Sequence, residues 1–66
     1  MNTYDLIFHD RDGQLDSILS FNDRDTALES FRLFDEPDSS EIYSRVSLWE
    51  YHCDTRDYTE IRMMTF

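Results

Sequence analysis

The chain reads as an α+β domain of order β-β-α-β-β, a four-stranded antiparallel sheet with one helix packed on one face. Three observations predict it. Apolar residues alternate with period two over residues 3–9, 16–21, 41–51 and 56–65, and recur at helical spacing between residues 27 and 34. The only Gly and the only Pro fall between those stretches. Sixty-six residues suffice for a single domain, 1–66, with 39% hydrophobic and 15% aromatic residues to fill a thin core.

Thr3 to His9 is the first expected strand, with Tyr4, Leu6 and Phe8 on one face and Asp5, Ile7 and His9 on the other. Asp10-Arg11-Asp12-Gly13 follows as a tight turn, because an Asp-Gly pair suits a position needing positive φ. Asp16 to Phe21, apolar at Ile18, Leu19 and Phe21, completes a hairpin. Asn22 or Asp23 then caps a helix whose stripe is Ala27, Leu28, Phe31 and Phe34, about three turns long. Glu36-Pro37 disfavours its continuation, and Asp38-Ser39-Ser40 reads as a loop.

From Glu41 to Tyr51 the period returns to two. Ile42, Val46 and Leu48 share one expected face, and Tyr43, Arg45, Trp49 and Tyr51 the other. A turn over His52–Thr55 leads to a last strand, Arg56 to Thr65, with Ile61 and Met63 opposite Tyr58, Glu60, Arg62 and Met64. One helix covers one side of such a sheet. Tyr43, Trp49, Tyr51, Tyr58 and Phe66 are therefore candidates for an uncovered aromatic face, a usual mark of an interaction surface.

Charge is the strongest compositional signal. Six Arg and no Lys stand against fifteen Asp and Glu, a net −9. Residues 1–41 carry eleven acids and three Arg, net −8, whereas residues 42–66 carry four acids and three Arg, net −1. Such a chain repels nucleic acid and anionic membranes, and attracts basic surfaces. Carboxylates two apart on a strand lie roughly 6.8 Å apart, and those at i and i+4 on a helix about 6 Å, both near the phosphate repeat of a nucleic-acid strand. Asp10, Asp12, Asp16, Asp23, Asp25, Glu29, Asp35, Glu36 and Asp38 are thus a candidate phosphate-mimicking face. The competing explanation is an acidic surface kept only for solubility.

Residue types that carry chemistry are present without its spacing. With Gly13 at the sixth position of a calcium loop, both end ligands would be Phe8 and Leu19, so a hairpin turn is the better reading. His52, Cys53 and Asp54 are consecutive, which gives a nucleophile no oriented base. His9, His52 and Cys53 form no zinc-ligand pair, and Gly13 alone makes no phosphate loop. No catalytic residue, metal or cofactor is expected. Cys53, the only cysteine, excludes an intramolecular disulfide and fits a reducing cytosol. The residues show neither a secretory pattern nor an 18-residue apolar run.

In length, charge, one-domain layout and cysteine usage, the chain resembles the small acidic anti-defence proteins of bacteriophages: anti-CRISPR proteins, DNA-mimic anti-restriction proteins and inhibitors of host transcription. That resemblance implies stoichiometric inhibition of a basic, nucleic-acid-handling protein such as a CRISPR effector, in the host bacterial cytoplasm, without direct contact with nucleic acid or membrane. It assigns no role to any single residue. The alternative is a protein–protein adaptor or host-takeover factor that binds through Tyr43, Trp49, Tyr51 and Tyr58, with homodimerisation as a further option.

Overall fold

The computed structural model describes residues 2–36 and 38–66. Its elements are β1 (Thr3–Asp10), β2 (Leu15–Phe21), α1 (Arg24–Leu33), α2 (Ser39–Ile42), β3 (Tyr43–His52) and β4 (Asp57–Thr65). The strands form one antiparallel sheet in the order β2-β1-β3-β4. The α+β architecture expected from the periodicity holds, with α2 as an added turn of helix.

Local chemistry explains the first half of the chain. The Asp10 carboxylate accepts from the backbone N–H groups of Asp12 (2.9 Å) and Gln14 (3.0 Å), while Gly13 takes the positive φ of +84° that closes the turn. Asp23, rather than Asn22, caps α1: its carboxylate accepts from the N–H and the hydroxyl of Thr26, both at 2.8 Å. Phe34 closes the helix, its N–H donating to the Phe31 carbonyl at 3.1 Å. The stop expected at Glu36-Pro37 rests partly on Pro37, which lies outside the described residues.

Between α1 and β3 the expected loop Asp38–Ser40 and the expected strand start at Glu41 are both replaced by α2. The N–H of Glu41 donates to the Asp38 carbonyl and that of Tyr43 to Ser39. Ile42 is 58% exposed, so it gains no burial that would hold it in a strand.

The core lies between α1 and one sheet face. Leu6, Phe8, Val46 and Leu48 are essentially inaccessible, and Ala27 and Phe31 press on them. Leu28 and Phe34 pack against the same cluster, so all four stripe residues face the sheet.

Two register shifts explain where alternation alone misplaces side chains. A shift at His9/Asp10 accompanies the turning of Tyr43 to the helix side, where its ring lies 5.0 Å from Phe8 and 6.4 Å from Phe34. Tyr43 is therefore a core residue and no part of the outer aromatic face. Phe66 also packs on the core. A second shift at Leu48/Trp49 puts Ile61 with Arg62 and Met64 on the helix side, and Met63, paired with Ser47, on the other. The molecule measures 37 × 22 × 15 Å, with the long axis suited to its ten-residue strand of about 33 Å.

Candidate functional site

Most of the acidic residues fall into two groups at opposite ends of the strands. At one end, the β1–β2 turn carries Asp10 and Asp12, with Asp16 just inside β2. Asp35, Glu36, Asp38 and Glu41 come to the same end, because the C-terminus of α1 and the start of β3 meet there. Phe34 touches Phe8 (ring centroids 4.8 Å), Tyr43 pairs with Asp10, and Arg11 donates 2.7 Å to the Ser40 carbonyl. Residues 10–16 and 35–41 together hold seven carboxylates against Arg11 alone, a net −6 of the total −9. Among the described residues, Asp10 alone of the seven is tied into the backbone, through its turn bonds; Asp16 accepts 3.3 Å from the neighbouring Ser17 hydroxyl.

The other end holds Asp23 and Asp25 at the start of α1 and Asp54 and Asp57 around the β3–β4 turn, against Arg24 and Arg56. Strand β1 separates the two ends, since the six steps from Tyr4 to Asp10 span about 20 Å. Of the nine carboxylates expected on one face, Asp10, Asp12, Asp16, Asp35, Glu36 and Asp38 come together. Asp23 and Asp25 lie at the opposite end. Glu29 lies between, on the outer side of α1, where a depression of about 590 Å³ is lined by Asp25, Leu28, Glu29, Arg32 and Leu33. All five of those residues belong to one helix, so nothing closes over the depression.

Sequence patterning missed the most organised polar cluster. Glu50 sits at the far end on the helix side, its side chain only 14% exposed. Its Oε2 accepts from Asn2 (2.9 Å) and the Tyr4 hydroxyl (3.2 Å), and its Oε1 lies 3.9 Å from Arg24 and 4.0 Å from His52. His52 Nε2 is 2.9 Å from the Thr59 hydroxyl. The Asn2 bond, then the Tyr4 bond and the nearby His52 and Arg24, hold the Glu50 carboxyl below its usual range against the opposing effect of burial. Tyr4 is raised by its own burial and by donating to Glu50. Asp23 is lowered by its bonds to the Thr26 N–H and hydroxyl. The partners come from Asn2, β1, α1, β3 and β4, so no local window of sequence contains the cluster. Among the described residues, Glu50–Arg24 is the one Arg–carboxylate pair, and His52 Nε2 lies 4.0 Å from the same carboxylate.

The sheet face away from α1 forms the second candidate. Its central row runs Ile18–Ile7–Ser47–Met63 across all four strands. One row on lie Ser20, Asp5, Trp49 and Glu60, then Thr3, Tyr51 and Tyr58. The Tyr51 and Tyr58 rings stand 4.8 Å apart. Trp49, Tyr51 and Tyr58 are thus on the open face as expected. On the other side of the central row, Arg45 reaches His9 Nε2 at 3.3 Å, and His9 Nδ1 is buried without a partner. Cys53 is exposed in the β3–β4 turn, where Arg56 takes a φ of +59°.

Among the described residues, no three His, Cys, Asp or Glu side chains are placed to hold a metal ion, and no helix is long and apolar enough to cross a membrane. No protein-family model matches the chain, nor does any curated protein or solved structure.

Proposed function

We propose that the protein is a binding module that docks its acidic end into a positively charged protein surface built to hold phosphates. It acts there as a stoichiometric inhibitor of a nucleic-acid-handling protein, with a CRISPR effector or another anti-phage defence complex as the leading class of target. The supporting observation is the gathering of seven carboxylates around the β1–β2 turn and the α1–β3 connection, with their one Arg turned onto a backbone carbonyl. Carboxylates left without cationic partners keep their potential for an incoming basic surface, and such a field speeds association at low salt. A partner that neutralises them also relieves the self-repulsion of a thin-cored domain.

Capture from a bacterial lysate on the immobilised protein tests this reading. A captured nucleic-acid-handling protein that is displaced by excess duplex DNA and by rising salt supports it. A captured partner indifferent to both overturns it.

A further inference from the structure

The open sheet face is marked by self-complementarity as well as exposure. Ile18 is 49% and Met63 51% exposed, and they flank Ile7 and the fully enclosed Ser47 in one row. On one side of that row stand His9 and Arg45. On the other stand Asp5, Trp49 and Glu60. The Arg45 guanidinium and the acidic and aromatic groups are therefore displaced to opposite sides of a common, mainly apolar line.

The geometry points to a homodimer in which this face stacks on its own copy, the two-fold axis running across the strands along the Ile18–Ile7–Ser47–Met63 row. An isologous interface places each residue on the axis against itself and exchanges residues on either side of it. Ile18, Ile7 and Met63 then meet their own copies. Arg45 of each chain, two positions from Ser47, lies over the partner's Trp49, two positions the other way. There the guanidinium meets an aromatic face flanked by the Asp5 and Glu60 carboxylates. Asp5 already accepts from Ser20 at 2.8 Å, which fixes one oxygen and leaves the group oriented. Within its own chain Arg45 has no carboxylate partner among the described residues.

Charge also selects this axis over the alternative. A two-fold along the strands would lay the two net −6 ends side by side and set Arg45 of β3 over the partner's His9 on β1, away from Trp49, Asp5 and Glu60. The axis across the strands sends those ends to opposite extremities. The molecule's 37 by 22 Å extents bound such a face at about 800 Å² per partner, which allows an interface of standard size. Sheets stacked in this way sit about 10 Å apart with their inner side chains interleaved.

Sedimentation equilibrium on the wild type, Ile18→Glu, Arg45→Glu and the double variant Arg45→Glu with Glu60→Arg tests the arrangement. The wild type is expected at twice its 8.0 kDa. Ile18→Glu and Arg45→Glu should each weaken association at least about tenfold, and the double variant should return to within about threefold of wild type. Arg45 and Glu60 belong to different rows of the sheet, so the rescue cannot be an ordinary intrachain pair. A wild type still monomeric at about 1 mM overturns the proposal. So does a dimer that neither single variant weakens, or a double variant that fails to recover. Isotope-filtered nuclear Overhauser contacts in the wild type provide a check free of folding effects: methyl contacts of Ile7, Ile18 and Met63 with the same residues of the other copy support the axis, and their absence in a dimer overturns it.

Discussion

The two ends of the molecule carry similar residue types but use them differently. At the end where α1 begins, two carboxylates have structural work: Asp23 caps the helix through Thr26, and Glu50 gathers Asn2, Tyr4, Arg24 and His52. At the end where β1 turns into β2, Asp10 shapes the turn, while Asp12, Asp35, Glu36, Asp38 and Glu41 surround it without ion pairs among the described residues. A carboxylate that is bonded in the fold is a stability element. One left to water is available to a partner, and counting acids along a chain does not separate the two.

What both ends share is the core, and its loss should produce the largest effect. Phe8 touches Phe34 and Tyr43 near the acidic end and belongs to the cluster that α1 covers. Phe8→Ala should cost about 3–5 kcal/mol. A domain of this size has roughly 3–10 kcal/mol in all, so thermal unfolding should show a large loss of Tm or no folded state.

Next in size is Glu50→Ala, which strands Arg24 and the Tyr4 hydroxyl and should lower Tm by several degrees. Asp23→Ala should lower it less, because the cap is exposed and water replaces part of it. Neutralising Asp35 or Asp38 to Asn should leave Tm unchanged or slightly higher, since repulsion is relieved and no bond among the described residues is lost. A fall in Tm for Asp35→Asn equal to that for Asp23→Ala would erase the distinction between the ends.

The pH dependence sharpens the same contrast. Both Asp23 and Glu50 have folded-state carboxyls below the ordinary values of 3.8 and 4.5. The unfolded chain therefore binds more protons than the folded one between the two sets of values, and stability rises with pH there. Their contribution is present above about pH 4.5 and is lost as pH falls through the lowered folded values. Glu50→Gln should flatten the acid side of the stability profile measured by urea unfolding.

Much of the fold is legible in the sequence because period and turn chemistry are local. The hairpin follows from alternation around Asp10–Gly13, and the helix from Ala27, Leu28, Phe31 and Phe34 after Asp23. Tyr43 is misplaced by alternation because a register shift breaks the strict period, and α2 is invisible because its four residues, Ser39–Ile42, bury little more than Ser39. The grouping of Asp12 with Asp35, Glu36 and Asp38 depends on where α1 delivers the chain, and the Glu50 cluster on residues nearly fifty positions apart. Neither is a property of any short window.

The most direct measurement compares two triple variants of equal charge change, each bound to the partner captured from lysate. One reverses Asp12, Asp35 and Asp38 to Arg at the acidic end; the other reverses Asp25, Asp54 and Asp57 to Arg at the far end. The expected result is at least about a hundredfold loss of affinity for the first and less than about tenfold for the second, with the salt dependence lost only in the first. Equal losses from the two would show that net charge alone governs binding, and would contradict a docking surface located at one end.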